Sequence, residues 1–212
     1  MLTSHAGAYP DPVNSQAAPD LRARRRNATR TEIRAAALTL FERQGAERTT
    51  VDEIAAAAGI SQRTFFRHFA TKEECVLFDM FGFDTALDRC LADADPATLT
   101  LADVEAAFTP VIASIGADEQ GEVAETARRI QTLVATDAAL SRAAVAAHAG
   151  STRRSLALLD GRCAPADRAR LRLILQVAQI ALHLAFEEWV EADAGAGLAA
   201  IYRAVCARVR AL

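Results

Sequence analysis

Between residues 50 and 72 the sequence gathers side chains suited to the edges and phosphates of a nucleic acid. Gln62 carries an amide that bonds adenine bidentately. Arg63 and Arg67 carry the fork that matches guanine, and Phe66 and the Thr64 methyl suit the thymine methyl group. Thr50, Thr64, His68 and Lys72 supply donors for phosphate oxygens, Thr50 from a helix start where backbone N–H groups add to the attraction. Upstream, Arg24, Arg25 and Arg26 lie in an arginine-rich run from Arg22 to Arg30. That run reads as an arm for the adjacent minor groove or backbone, with a solvated helix start as the alternative.

Such side chains act only if a rigid scaffold presents them, and the surrounding pattern predicts one. Structure is expected to begin near Leu21, and Ile33, Ala36, Ala37, Leu40 and Phe41 recur at helical spacing, giving a first helix of roughly twenty residues with Gly45 after Gln44 as its C-cap. Thr50 and Glu53 form a capping box ahead of Val51, Ile54, Ala55 and Ala58, which gives a short second helix stopping at Gly59. Gly59 suits the left-handed conformation of a tight turn. Ile60 to Phe69 reads as a third helix with Phe65 and Phe69 turned inward at i, i+4. Thr71 and Glu74 form a second capping box, which opens a long fourth helix through Val76, Leu77 and Met80 toward Leu91. Two short helices joined by a glycine turn leave one free to enter a major groove while the other buttresses it, although a plain helical hairpin has the same outline.

Charge supports the first reading. The net charge is -3, but residues 1–72 hold eleven basic and seven acidic side chains, and residues 73–212 hold thirteen and twenty. The front third is thus +4 and the remainder -7, so the front can meet phosphate while the rest faces away from it. Lys72 is the only lysine.

The runs Thr49-Thr50-Val51-Asp52-Glu53-Ile54-Ala55, Ala58-Gly59-Ile60-Ser61, Thr64-Phe65-Phe66-Arg67-His68-Phe69 and Thr71-Lys72-Glu73 together resemble the signature of TetR-type transcriptional regulators. The resemblance covers residues 24–77. It implies an all-α protein with an N-terminal three-helix DNA-binding domain containing a helix-turn-helix, and a larger C-terminal helical domain for ligand binding and dimerisation. It further implies a repressor that binds a double-stranded, palindromic operator as a homodimer and is released by a small effector. Phe66 stands where the family often has tyrosine, so it lacks a hydroxyl for phosphate. Arg67 stands where an aromatic residue or histidine is frequent, and supplies a phosphate or guanine contact instead.

The domain boundaries expected are a disordered tail over 1–20, the DNA-binding domain over 21–70 and the regulatory domain over 71–212. Helices are expected near 100–115, 120–135, 137–160, 165–193 and 197–211, punctuated at Asp95-Pro96, Gly116, Gly161 and Gly195-Ala196-Gly197. On the 165–193 helix, Gln176, Gln179, His183 and Glu187 form a polar stripe that suits an effector pocket for a small apolar or amphipathic molecule, joined by Gln131 and His148. A polar dimer seam or half-exposed side chains would give the same stripe. Leu171, Ile174, Leu175, Ala178 and Leu182, with Leu198, Ile201 and Val205, give the last two helices apolar faces that serve either a four-helix dimer interface or burial within one subunit. Trp189 reads as core or interface.

No nucleophile motif, glycine-rich phosphate loop or metal-spaced cluster is present in the sequence, so an enzyme, a metal site and a cofactor are not expected. Cys75, Cys90, Cys163 and Cys206 form no C-x-x-C pair and read as reduced core residues. No stretch reads as a signal sequence or a membrane span, so the expectation is a soluble cytoplasmic protein. A helical adaptor whose helix-turn-helix binds protein is the competing class, and steep salt dependence of DNA binding separates the two.

Overall fold

The structure, a computed structural model, describes residues 21–77, 79, 81–117, 121–192 and 197–212. The tail expected over 1–20, Met80 of the expected fourth helix, and Gly195 and Ala196 lie outside the described residues. Every described element is an α-helix: α1 (Leu21–Gln44), α2 (Val51–Ala57), α3 (Gln62–His68), α4 (Glu74–Leu77), α5 (Phe83–Asp93), α6 (Leu101–Gly116), α7 (Glu122–Thr136), α8 (Ala138–Leu158), α9 (Pro165–Glu191) and α10 (Leu198–Arg210). The all-α architecture is therefore as the sequence pattern predicts.

Local signals set most of the boundaries. Thr50 accepts from the Glu53 N–H while Glu53 accepts from the Thr50 N–H, so α2 starts on a complete capping box. α2 ends in a Schellman motif: the Ile60 N–H bonds the Ala55 carbonyl at 2.9 Å and the Gly59 N–H bonds the Ala56 carbonyl at 3.1 Å. Gly59 takes φ 67 there, a left-handed conformation that costs glycine little. Ile60 is the apolar residue closing that motif rather than the first residue of the next helix. Ser61 instead caps α3, its Oγ accepting from the Thr64 N–H at 3.2 Å.

The fourth helix departs from expectation. Thr71 Oγ1 does accept from the Glu74 N–H, but the Glu74 carboxylate reaches back to the Ala70 N–H at 2.7 Å instead of closing the box on Thr71. The helix so begun spans only Glu74–Leu77, and a new one starts at Phe83 with Gly82 in the left-handed region at φ 89. α4 has already ended at Leu77 and Asp79 is non-helical, and the left-handed Gly82, the N-cap of α5, keeps the two from joining into the single helix that the periodicity reads.

Two apolar clusters hold the chain together. The first joins Ile33, Phe41, Ile54, Phe65, Phe69 and Cys75 of the N-terminal helices to Ile130, Leu133 and Val134 of α7 and Leu140 and Ala144 of α8. The second fills the rest, with Leu91, Phe108 and Ile112 packed against Leu171, Leu175, Ala185, Trp189, Leu198 and Tyr202. α9 is long and apolar enough to cross a membrane by length and composition, yet its Leu171, Leu175, Ala178, Ala181, Ala185, Phe186 and Trp189 are buried against this core. Cys75 and Cys206 are buried and Cys90 and Cys163 pack half-buried against the core, all as free thiols, in keeping with the core role expected of them.

Polar contacts fix α1 against α7 and α8. Glu42 takes two hydrogen bonds from the Arg129 guanidinium, at 2.6 and 2.8 Å. Asp137, the N-cap of α8, accepts from Ala139 and Leu140 through one oxygen and from the Ala46 N–H through the other, at 2.7 Å.

Candidate nucleic-acid interface and internal cavity

α3 is held by one face and free on the other. Phe65 is fully buried, with its ring edge-on to Phe66 at 5.5 Å and tilted against Phe69 at 6.0 Å. Arg30 of α1 docks the end of α3, its guanidinium 5.4 Å from the Phe69 ring centre and donating to the His68 carbonyl. On the opposite side Gln62, Arg63 and Arg67 are exposed, and Phe66 keeps 52% of its surface in solvent. The exposed face thus offers one aromatic ring between two guanidiniums.

The remaining expected contacts are less free. Thr64 and His68 are half-buried, and the Thr64 hydroxyl shares a hydrogen bond with Ser61 at 3.0 Å. The Thr50 hydroxyl donates to Glu53 at 2.9 Å. Lys72 donates to the Thr49 carbonyl at 2.7 Å and the Glu47 carbonyl at 3.2 Å, which braces the α1–α2 loop. Arg24, Arg25 and Arg26 are exposed on the first turns of α1. Burial, and after it the charges of Arg67, Arg30 and Arg26, lowers the pKa of His68 below the ordinary histidine value. This face is therefore short of negative charge and would gain from an anion.

Behind α3 lies a cavity of about 590 Å³, walled by α4 to α9 and beginning at Thr71, Glu73 and Glu74. Of the six side chains expected to line a pocket, Gln131, His148, Gln179 and His183 come together on this cavity. The His148 and His183 rings stand 6.1 Å apart, and Gln179 accepts from the buried Thr152 hydroxyl at 3.1 Å. Burial and then His183 lower the His148 pKa, against a smaller opposing effect of Asp84. Glu187 pairs with His183 at 3.3 Å but is not among the lining residues, and Gln176 points to solvent from the outer face of α9.

Periodicity did not indicate the cavity's aromatic wall. Phe83 meets Phe108 at 5.5 Å, Phe186 at 6.1 Å and Phe81 at 6.4 Å, in edge-to-face geometry each time. Nor did it indicate the polar group in which Asp84 accepts from Ser151 at 2.6 Å and from Arg154 at 2.8 Å. The Phe81-Gly82-Phe83-Asp84 run, two aromatics astride a glycine, is the local signal that would have marked both.

The apolar faces expected on the last two helices turn inward. Leu171, Leu175, Ala178, Leu198 and Val205 are buried within the subunit, and Ile174, Leu182 and Ile201 pack against the same cluster half-buried. The apolar side chains α9 leaves in solvent are Leu173, Ile180 and Leu184, with Gln176 on the same stripe.

Residues 33–77 match the family described as "Bacterial regulatory proteins, tetR family". Over 97 residues the chain is 39% identical to the HTH-type transcriptional regulator TcmR of Streptomyces glaucescens. That match covers 46% of this chain and 43% of the relative, less than half of either. Among solved structures, FadR of Thermus thermophilus, a TetR-family transcriptional repressor in complex with lauroyl-CoA, is 21% identical with a TM-score of 0.45, over 85% of this chain and 93% of that one. The fatty acid degradation regulator FadR of Bacillus halodurans is 18% identical with a TM-score of 0.42, over 85% and 94%.

Proposed function

From the premise that this chain belongs, through residues 33–77, to the TetR family of transcriptional regulators, we propose that it is a homodimeric repressor released from its operator by a small molecule. The observation that carries this reading is the pairing of an exposed, basic face on α3 with a cavity whose wall starts at Thr71, two residues beyond the α3 C-cap Phe69. A molecule filling that cavity pushes on the segment that holds the reader, and a ligand that favours one placement of α3 shifts the DNA-bound population.

In this reading residues 21–70 act as the DNA-binding domain and 71–212 as the regulatory domain, although the N-terminal apolar cluster extends onto α7 and α8. Gln62, Arg63 and Arg67 reach base edges and Phe66 lies against a thymine methyl. His68, Thr64 and the Arg24, Arg25 and Arg26 arm meet phosphates. Thr50 and Lys72 do so only by giving up Glu53 and the loop carbonyls. Two readers on a palindrome need a second copy, and the exposed stripe Leu173, Ile180 and Leu184 supports α9 as the face that meets it. The readers then lie roughly 34–36 Å apart, one helical turn of DNA. Acting on the chromosome, the protein works in the cytoplasm and as a regulator rather than an enzyme.

Footprinting on the DNA upstream of its own gene tests the assignment. The expected result is a protected palindrome whose affinity falls steeply with salt. Arg63→Ala with Arg67→Ala should weaken binding by about tenfold to a thousandfold, the loss of one to two bidentate contacts. Unchanged affinity in that variant would remove α3 as the reader.

A further inference from the structure

We propose that the cavity is selective for a lipophilic aromatic cation, an inference that rests on the effector reading of this same site. Four described carboxylates line it, Glu73, Glu74, Asp79 and Asp84, against one guanidinium, Arg154, which is already bound to Asp84 at 2.8 Å. Lys72 stands 3.9 Å from Glu73 and offsets it in part, but its ammonium is turned onto backbone carbonyls outside the cavity. Asp79 accepts from the Thr85 N–H at 3.2 Å and Glu74 from the Ala70 N–H at 2.7 Å, so both carboxylates are fixed in place by neutral donors that leave their charge standing.

The walls repeat the preference. Phe81, Phe83, Phe108 and Phe186 line the apolar end: Phe83 meets the other three edge-to-face, Phe81 and Phe186 stack at 6.4 Å, and Phe81 and Phe83 are the two rings left half-exposed toward a guest. Aromatic faces are electronegative and attract a cation held within about 6 Å of the ring centre. A carboxylate or phosphate guest would instead meet uncompensated negative charge and no available cation among the described lining residues. It would lose hydration without a partner. The two imidazoles and the amides of Gln131 and Gln179 then serve polar substituents at the other end.

The test uses two probes of one shape and opposite charge, tetraphenylphosphonium and tetraphenylborate, with triphenylphosphine oxide as a neutral aryl control. Each is titrated calorimetrically into the full chain without DNA. The phosphonium should bind at least tenfold more tightly than the borate, with the neutral probe between them. Asp79→Asn, which keeps an oxygen for the Thr85 N–H, should weaken the phosphonium by about tenfold. Glu122→Gln, on exposed α7 surface away from the cavity, should leave it unchanged. Borate binding equal to or tighter than phosphonium, or an Asp79→Asn affinity equal to wild type, overturns the charge selectivity. Tight binding of the neutral probe alone also overturns it, while leaving the effector reading intact. If no aryl probe of any charge binds or raises the melting temperature of a chain that still binds its operator, the effector reading of the cavity fails with it.

Discussion

Asp137 joins the start of α8 to the loop after α1, and replacing it separates two contributions. One oxygen caps α8 through the Ala139 and Leu140 N–H groups at 2.9 and 3.0 Å, and the other takes the Ala46 N–H at 2.7 Å across a separation of 91 residues. Loss of an N-cap costs about 1 kcal/mol. Ala46 is fully buried, so its N–H, once abandoned, adds roughly 1–3 kcal/mol for a lost charge-assisted bond. Asp137→Ala should therefore destabilise the chain by about 2–4 kcal/mol. The neighbouring Glu42–Arg129 pair has side chains 38% and 31% exposed, and removing it should cost under about 1 kcal/mol.

Asp137→Asn is the sharper variant, because its one oxygen can cap α8 or hold Ala46 but not both. It should fall between wild type and alanine in urea unfolding at pH 7. The pH dependence follows from the same bonds. Burial alone would raise the Asp137 carboxyl, but the Ala46, Leu140 and Ala139 N–H donors overcome it and hold the pKa below the usual value. A carboxyl with a depressed native pKa contributes its full stability above the unfolded value of about 3.9 and loses it as pH falls through the native one. The stability difference between wild type and Asp137→Asn should thus shrink as pH drops from about 5 toward 2. An Asp137→Ala variant within about 0.5 kcal/mol of wild type at pH 7 would show that the junction does not depend on this residue.

Gly59→Ala meets nothing within 4 Å, so its cost is the left-handed backbone alone, about 1–2 kcal/mol, visible as a lowered melting temperature. If the proposed dimer forms through the exposed α9 stripe, Ile180→Arg should leave a monomer in light scattering and weaken DNA binding, whereas a variant that still dimerises would place the interface elsewhere. His68 is held below the ordinary histidine pKa by burial and by its arginine neighbours, and DNA phosphates would raise it again, so binding takes up a proton. Operator affinity should accordingly rise as pH falls from 8 to 6, and His68→Gln should flatten that slope. His148, lowered by burial and by His183, makes the fold less stable as pH falls below about 6.5, where the unfolded chain takes the proton first. His148→Gln should remove that part of the acid sensitivity in thermal melts at pH 7 and pH 5.5.

What could be read from the sequence was decided within a few residues of itself. The Thr50–Glu53 box, the Gly59 turn and the inward pair Phe65 and Phe69 are all local, so residue type and spacing determine them and the exposed face of α3 follows by elimination. Gly82 was local too but ambiguous, because a helix tolerates one glycine at a cost of about 1 kcal/mol and periodicity alone does not reveal a positive φ. The cavity was legible in part: Gln179 and His183 share a face at i, i+4. Gln176 lies three residues earlier and rotates onto the solvent side, since the inner face of α9 is narrower than the polar stripe. Asp84 with Ser151 and Arg154, and Asp137 with Ala46, join residues 67 to 91 apart, and no window along the chain contains both partners.

These long-range contacts bear on function through α4. Its first residue, Glu74, bonds the Ala70 N–H just beyond α3, and Cys75 and Val76 lie in the same apolar cluster as Phe65 and Phe69. Glu73, Glu74, Val76 and Leu77 also form cavity wall. A helix of four residues has little intrinsic stability, so packing on both sides sets its position. In the proposed reading, α4, set apart from α5 by the non-helical Asp79 and Gly82, would shift with a guest in the cavity and carry the end of α3 with it. A continuous fourth helix, as the periodicity predicts, would tie the end of α3 and the cavity wall into one rigid rod, and the non-helical Asp79 and Gly82 interrupt it.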